Sequence, residues 1–213
     1  MQKPTEPPVQ KPTEPPVQKP TEPPSASSSG LAFTLNADGK GYTVTGIGSC
    51  TDSDLVIPST YKGLPVTTVG VGAFHSCYRL TSVAIPDGVA TIGDYAFYYC
   101  FSLTSVTIPD SVTIINEGAF MGCLSLTSVI IPDSVTTIGD VAFADCESLT
   151  SVAIPESVTN IGSFSFAACS NLTNIRYEGT VEQWNKIESP ANWNEEVPAT
   201  KVVCIDGTVT LGG

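Results

Sequence analysis

Ala96-Phe97-Tyr98-Tyr99-Cys100-Phe101-Ser102-Leu103-Thr104-Ser105-Val106-Thr107-Ile108-Pro109-Asp110-Ser111-Val112-Thr113-Ile114-Ile115-Asn116-Glu117-Gly118 is one unit of a repeat that governs most of the chain. The next unit opens at Ala119-Phe120, 23 residues on, and the spacing then holds. Cysteines stand at 77, 100, 123, 146 and 169, and phenylalanines at 74, 97, 120, 143 and 166. Leu80, Leu103, Leu126, Leu149 and Leu172 keep the same step, as do Val69, Ile92, Ile115, Ile138 and Ile161. One unit has too few apolar groups to fold alone, but stacked copies share a continuous core. The chain is therefore read as a repeat solenoid of about six rungs, with short parallel strands and short helical turns.

Within a unit, Ser105-Val106-Thr107-Ile108 alternates, which directs Val106 and Ile108 inward and Ser105 and Thr107 outward. Pro109 follows and ends the strand, because proline cannot donate to a ladder. A second brief strand is expected around Val89–Ile92. Asp94-Tyr-Ala-Phe-Tyr-Tyr-Cys100 reads as one helical turn with Asp94 as its cap. The segment Ser59–Pro65 adds five residues to the first unit and is expected to bulge as a loop.

Outward from the repeats, composition divides the chain. Residues 1–30 are a proline-rich linker: Gln2–Val9 (Gln-Lys-Pro-Thr-Glu-Pro-Pro-Val) recurs as Gln10–Val17 and again as Gln18–Ser25. Proline fixes φ and removes the amide donor, so this tract is read as a disordered, extended spacer. Residues 31–54 alternate apolar and polar around Asp38-Gly39 and form an N-terminal hairpin cap. Residues 55–175 are the solenoid and 176–213 a C-terminal cap, with Trp184 and Trp193 covering the last edge.

The skeleton Leu103-x-x-Val106-x-Ile108, the Ile-Pro-Asp-Ser-Val continuation and Ile138-Gly-Asp-x-Ala-Phe-x-x-Cys146 together resemble the bacterial surface-antigen (BspA-type) leucine-rich repeat. Tyr61-Lys-Gly-Leu-Pro-Val-Thr67 resembles that family's usual first repeat. Tyr177-Glu-Gly-Thr-Val-Glu-Gln-Trp184, with Trp193 and Val203-Cys-Ile-Asp-Gly207, resembles its usual C-terminal cap. The resemblance implies a surface-exposed or secreted protein used for adhesion and protein binding, with no catalytic site.

Charge and residue supply exclude several functions. With 21 acidic against 9 basic residues the net charge is −12, which opposes binding to nucleic acid or an anionic membrane. Val129-Ile130-Ile131 typifies the apolar runs, far too short for membrane insertion. Met1 leads straight into the proline-rich tract, and no secretory signal is expected within it. His75 is the one histidine, so a catalytic triad or multi-histidine metal site is not expected. No cofactor, metal or catalytic residue is assigned, and a monomer is expected.

The cysteine column lacks the short Cys-x-x-Cys pairs that metals favour. Disulfides between neighbouring units are geometrically within reach, but the register with inward Phe and Leu favours thiols packed as small hydrophobes. The acidic columns Asp87, Asp110, Asp133, Glu156 and Asp94, Glu117, Asp140 fit turn and cap chemistry, with bridging calcium as the alternative.

Two surfaces remain as binding candidates for a protein ligand. The outward strand face carries Ser82, Ser105, Thr107, Ser128, Ile130, Ser151, Asn174 and Arg176, which are mostly small and neutral. The variable positions beside cysteine carry Tyr78, Tyr98, Tyr99, Phe101, Met121 and Leu124, an aromatic and apolar group confined to the first units. The expected function is a non-enzymatic adhesion module at the cell surface or outside the cell. A rigid spacer in a larger surface protein, or a docking module for an enzyme, are the alternatives.

Overall fold

The structure, a computed structural model, describes residues 27–211. The octapeptide tract and its spacer reading lie outside the described residues.

Among the described residues, sixteen strands and one helix follow in chain order. The first turns contain β1 (Ala32–Leu35), β2 (Tyr42–Gly46), β3 (Asp54–Val56), β4 (Thr60–Tyr61), β5 (Leu64–Val69), β6 (Ser82–Ala84) and β7 (Thr91–Ile92). Next come β8 (Ser105–Thr107), β9 (Ile114–Ile115), β10 (Ser128–Ile130), β11 (Thr137–Ile138), β12 (Ser151–Ile154), β13 (Asn160–Ile161) and β14 (Asn174–Tyr177). The chain closes with α1 (Val181–Trp184), β15 (Lys201–Val203) and β16 (Thr208–Thr210).

The strands build two ladders along one solenoid. One runs β1-β2-β5-β7-β9-β11-β13; the other runs β3-β6-β8-β10-β12-β14-β15-β16. Neighbours along each are parallel except at the ends, where β1 meets β2 and β15 meets β16 antiparallel. Ser82 pairs with Ser105 and Ser128 with Ser151, so register follows the sequence period. Counting β15, the second ladder has seven parallel strands, one more than the six rungs expected. The seventh was hidden because Lys201–Val203 lacks the Leu-Thr-Ser-Val frame and follows the cap, so Ile175 pairs with Val202, four residues beyond the period.

Alternation along the strands is as the sequence implies: Val106 and Ile108 are buried, Ser105 and Thr107 exposed. The insert is more ordered than a loop. Thr60-Tyr61 pairs antiparallel with Leu64-Pro65 through Lys62 (φ 48°) and Gly63 (φ 79°), the left-handed pair that a tight hairpin requires. Tyr61 thereby stacks on Phe33 at 4.1 Å and packs edge-on to Tyr42, joining insert to N-terminal hairpin.

The third side of each turn is not helical. Tyr95, Phe97 and Tyr99 donate their N–H groups across to the carbonyls of Glu117, Ala119 and Met121 at 2.8–2.9 Å. Between them, Ala96, Tyr98 and Cys100 donate back three residues, to Gly93, Tyr95 and Phe97. A helix would direct every N–H along its own axis. Here left-handed residues at Tyr95 (φ 54°) and Tyr99 (φ 58°) swing alternate amides toward the neighbouring turn. The same inversion recurs at Ser76, Val141, Asp145, Phe164 and Ala168. Asp94 does not cap a helix; its carbonyl accepts from Gly72 of the preceding turn. Asp140 likewise serves between turns, its Oδ1 accepting from Ser163 N–H at 2.7 Å.

Two core columns lie behind this side. The five phenylalanines are fully buried and stack with centroids 5.2–5.4 Å apart. Cys100, Cys123, Cys146 and Cys169 are buried free thiols, and Cys77 at the column's end is half-buried. Each buried thiol donates to a phenylalanine carbonyl of the preceding turn: Cys100 to Phe74 at 3.1 Å, Cys169 to Phe143 at 3.2 Å. Burial pushes the thiols of Cys100 and Cys169 up to about 12 and those of Cys123 and Cys146 well above the ordinary 9.0. At the far end Thr180 and Gln183 form a capping box on α1, and Trp184 packs against Tyr177 while Trp193 meets Phe166 edge-on.

Two outcomes are expected. Phe120→Ala, which opens a gap in the middle of the phenylalanine stack, should cost about 3–5 kcal/mol in urea unfolding. The raised thiols give a pH dependence whose sign is fixed: the native state keeps them neutral, while the unfolded chain ionises them near pH 9. The urea midpoint should therefore be insensitive to these groups below pH 9 and fall as pH rises from 9 toward 12.

Candidate functional site

The turn side brings the predicted aromatic residues together. Tyr78 stacks on Phe101 at 5.1 Å, and His75 stacks on Tyr98 at 5.0 Å. Tyr98 and Tyr99 lie 3.8 Å apart, and Tyr99 meets Phe101 at 5.3 Å, linking the two stacks. Tyr95 adds an edge contact to Tyr98, and its hydroxyl donates to Glu117. Tyr78 is 53% and Phe101 36% exposed; Tyr98, Tyr99, Met121 and Leu124 are half-buried. The hydroxyl of Tyr98 is pushed up to about 12, chiefly by its hydrogen bond with Tyr99.

Glycines in the following turn seat this cluster. Gly118 and Gly122 occupy the left-handed positions that Tyr95 and Tyr99 hold one turn earlier, with φ 56° and 71°. A Cβ at either would overlap the ring of Tyr95 or Tyr99, so the rings lie on bare backbone. The sequence reading missed Tyr95, Val141 and Phe164, which share one column with Gly72 and Gly118. Their signal was a glycine alternating with large apolar residues inside an otherwise constant repeat. Val141 sits at φ 47° and the 39% exposed Phe164 at φ 55°. Bulky and β-branched side chains at positive φ are outliers that cost on the order of 1–3 kcal/mol each.

The strand face is a separate surface. Ser105, Thr107, Ser128, Ser151, Asn174 and Arg176 are exposed along the second ladder, and Ile130 is an exposed apolar residue among them. Ser82 is half-buried and already engaged: its hydroxyl donates to Asp54 Oδ1 at 2.6 Å, which with Thr81 holds that carboxyl below its ordinary value. Three residues of chain separate Phe101 from Ser105, so the aromatic cluster adjoins the strand face without being part of it. Among the described residues no group of three or more His, Cys, Asp or Glu is placed to hold a metal ion.

Two parallel ladders, an inward leucine, valine and isoleucine core and a 23-residue turn define a leucine-rich-repeat solenoid. The chain belongs to the BspA-type leucine-rich-repeat family, whose model matches residues 67–189 in six copies. The leucine-rich repeat protein of T. pallidum is 34% identical, with 71% of this chain and 70% of that one aligned at a TM-score of 0.66. A leucine-rich cell surface protein of Faecalibacterium prausnitzii is 38% identical over 75% of this chain at a TM-score of 0.69, and the chain spans only 41% of that protein. The pneumococcal vaccine antigen PcpA, 18% identical at a TM-score of 0.60, shares the fold. No curated protein matches the sequence. Among the described residues no helix is long and apolar enough to cross a membrane.

The strain at Val141 gives a direct check. Val141→Gly removes a β-branched side chain from a left-handed position. It should raise the urea midpoint, by the equivalent of about 0.5–1 kcal/mol, where truncating a half-buried valine would ordinarily lower it.

Proposed function

We propose that the chain is a non-enzymatic protein-binding module at the bacterial cell surface, and that it contacts its ligand through the aromatic cluster of the turn side. The observation that carries this is the set of large side chains kept at left-handed positions of the turn side, Tyr95 and Tyr99 in the cluster and Val141 and Phe164 on later turns. Folding alone would favour glycine there, as the chain itself uses at 72, 118 and 122. Strain kept on one face is a reason to look for function on that face. Membership of the BspA-type family and the likeness to a cell surface protein support the location.

The composition of the cluster suits a protein partner. In the Tyr78–Phe101 and His75–Tyr98 pairs the rings stack at 5.1 and 5.0 Å, so one face of each ring is taken by its neighbour. Stacked aromatic rings that carry hydroxyls suit the mixed apolar and polar contacts of a protein interface. The strand face, small and neutral, contributes breadth with little chemistry.

The test is affinity capture of host and bacterial surface proteins by the full chain, followed by binding measurements on what is retained. The comparison is the Tyr98→Ser, Tyr99→Ser, Phe101→Ser variant. Loss of two hot-spot aromatics or more should weaken binding at least about 30-fold, with the urea midpoint showing the variant folded. Equal binding by the variant would remove the cluster from the account, and capture of nothing by either would favour a rigid spacer.

A further inference from the structure

We propose that the aromatic cluster takes a cationic protein segment, whose arginine side chains lie against the rings and pair with the carboxylates bordering them. This rests on the cluster being a contact surface and adds the chemistry of the partner. Charge, register and the supply of rings each point to that occupant.

The turn side around the cluster is charged almost wholly in one sense. Its successive segments 70–79, 93–102, 116–125 and 139–148 hold five carboxylates, Asp94, Glu117, Asp140, Asp145 and Glu147. Against them stands one arginine, Arg79, and no lysine. Such a face repels polyanions and acidic proteins and draws in a basic segment. The attraction acts over about 10 Å in dilute salt, the Debye length at 0.1 M.

Main-chain bonds set those carboxylates at the border of the cluster. Gly72, Tyr95 and Gly118 donate their N–H groups to the carbonyls of Asp94, Glu117 and Asp140, so the three acidic residues form one column beside Tyr95. Glu117 accepts from the Tyr95 hydroxyl, and Asp140 Oδ1 accepts from Ser163 N–H at 2.7 Å. Those bonds fix two of the carboxylates without cancelling their charge. Farther along the solenoid, Tyr99 and Asp145 hold the same place two turns apart, as do Phe101 and Glu147. Two steps of about 4.8 Å put their backbones about 10 Å apart. Gly122 stands between Tyr99 and Asp145, and the Tyr99 ring lies over it.

The rings favour arginine over a plain positive charge. Tyr78 and Phe101, stacked on each other, are the most exposed of them, at 53% and 36%. A planar guanidinium stacks on an aromatic ring and also offers paired N–H donors to a carboxylate. The ammonium of lysine, compact and strongly hydrated, serves both contacts less well. Alternate residues of an extended segment lie about 7 Å apart, so successive arginines span the interval from ring to carboxylate.

The experiment titrates labelled Gly-Arg-Gly-Arg-Gly-Arg-Gly into the full chain and reads fluorescence polarisation, with the lysine and glutamate counterparts for comparison. The arginine peptide should bind at least about 3-fold tighter than the lysine peptide, and the glutamate peptide not at all. Asp94→Asn, Asp145→Asn and Glu147→Gln together should weaken binding about 10-fold. Tyr78→Ser with Phe101→Ser should abolish the preference for arginine. Asp87→Asn, Asp110→Asn and Asp133→Asn together remove equal charge from a column outside the cluster, and should change binding by less than about 2-fold. Urea midpoints show that each variant is folded. Equal weakening by the two charge variants would assign binding to net charge and overturn the proposal. So would equal affinity for the arginine and lysine peptides, or no binding of either. Loss of captured protein in the Tyr98→Ser, Tyr99→Ser, Phe101→Ser variant without arginine-peptide binding would sink only the cationic partner. Capture unaffected in that variant would sink the contact-surface reading itself.

Discussion

Every turn of this solenoid hangs on main-chain hydrogen bonds to the next one, and those bonds demand that equivalent residues stay in register. On the turn side the demand is strict, because Phe97, Phe120 and Phe143 spend their amides on Ala119, Ala142 and Ser165 of the following turn. A residue added inside a unit would shift each later donor off its acceptor. Extra length is therefore confined to the ends: the Ser59–Pro65 hairpin in the first turn, and the α1 segment before β15. Once register is fixed, like falls on like, and the phenylalanine and cysteine columns follow from it.

The same constraint separates what the molecule must be from what it is free to vary. Inward columns have one solution, since each Phe meets the Phe above and below it. Outward positions of the turn side answer to backbone conformation alone, and the left-handed ones are cheapest as glycine. The chain takes that cheap solution at Gly118 and Gly122, and by doing so opens seats for Tyr95 and Tyr99. Where it takes Val141 and Phe164 instead, the extra apolar surface is retained against a conformational cost. The aromatic cluster is thus a local departure written on a uniform scaffold.

What the sequence made legible was whatever repeats. Phe, Cys, Leu and Ile at one spacing implied stacked turns and buried thiols, and the alternation at Ser105–Ile108 implied the strand and its faces. The helical reading of Asp94–Cys100 failed for a physical reason. An acidic residue before Ala-Phe is a local signal, whereas the amides there bond to residues twenty-two positions away. Tyr95, Val141 and Phe164 were passed over with it, because a helix would have given them no special conformation. The aromatic group at Tyr78, Tyr98, Tyr99 and Phe101 was visible as composition; its stacking between turns and its glycine seats were not, since both depend on which turn lies against which.

Amide hydrogen exchange read residue by residue tests the between-turn ladder most directly. The structure predicts alternation along the turn side: Phe97, Tyr99, Phe120 and Phe143, which donate to the next turn, should exchange more slowly than Tyr98 and Met121, which donate only within their own, by about 100-fold or more. Uniform protection of consecutive amides, as a helix would give, or rapid exchange at Phe97, Phe120 and Phe143, would contradict it.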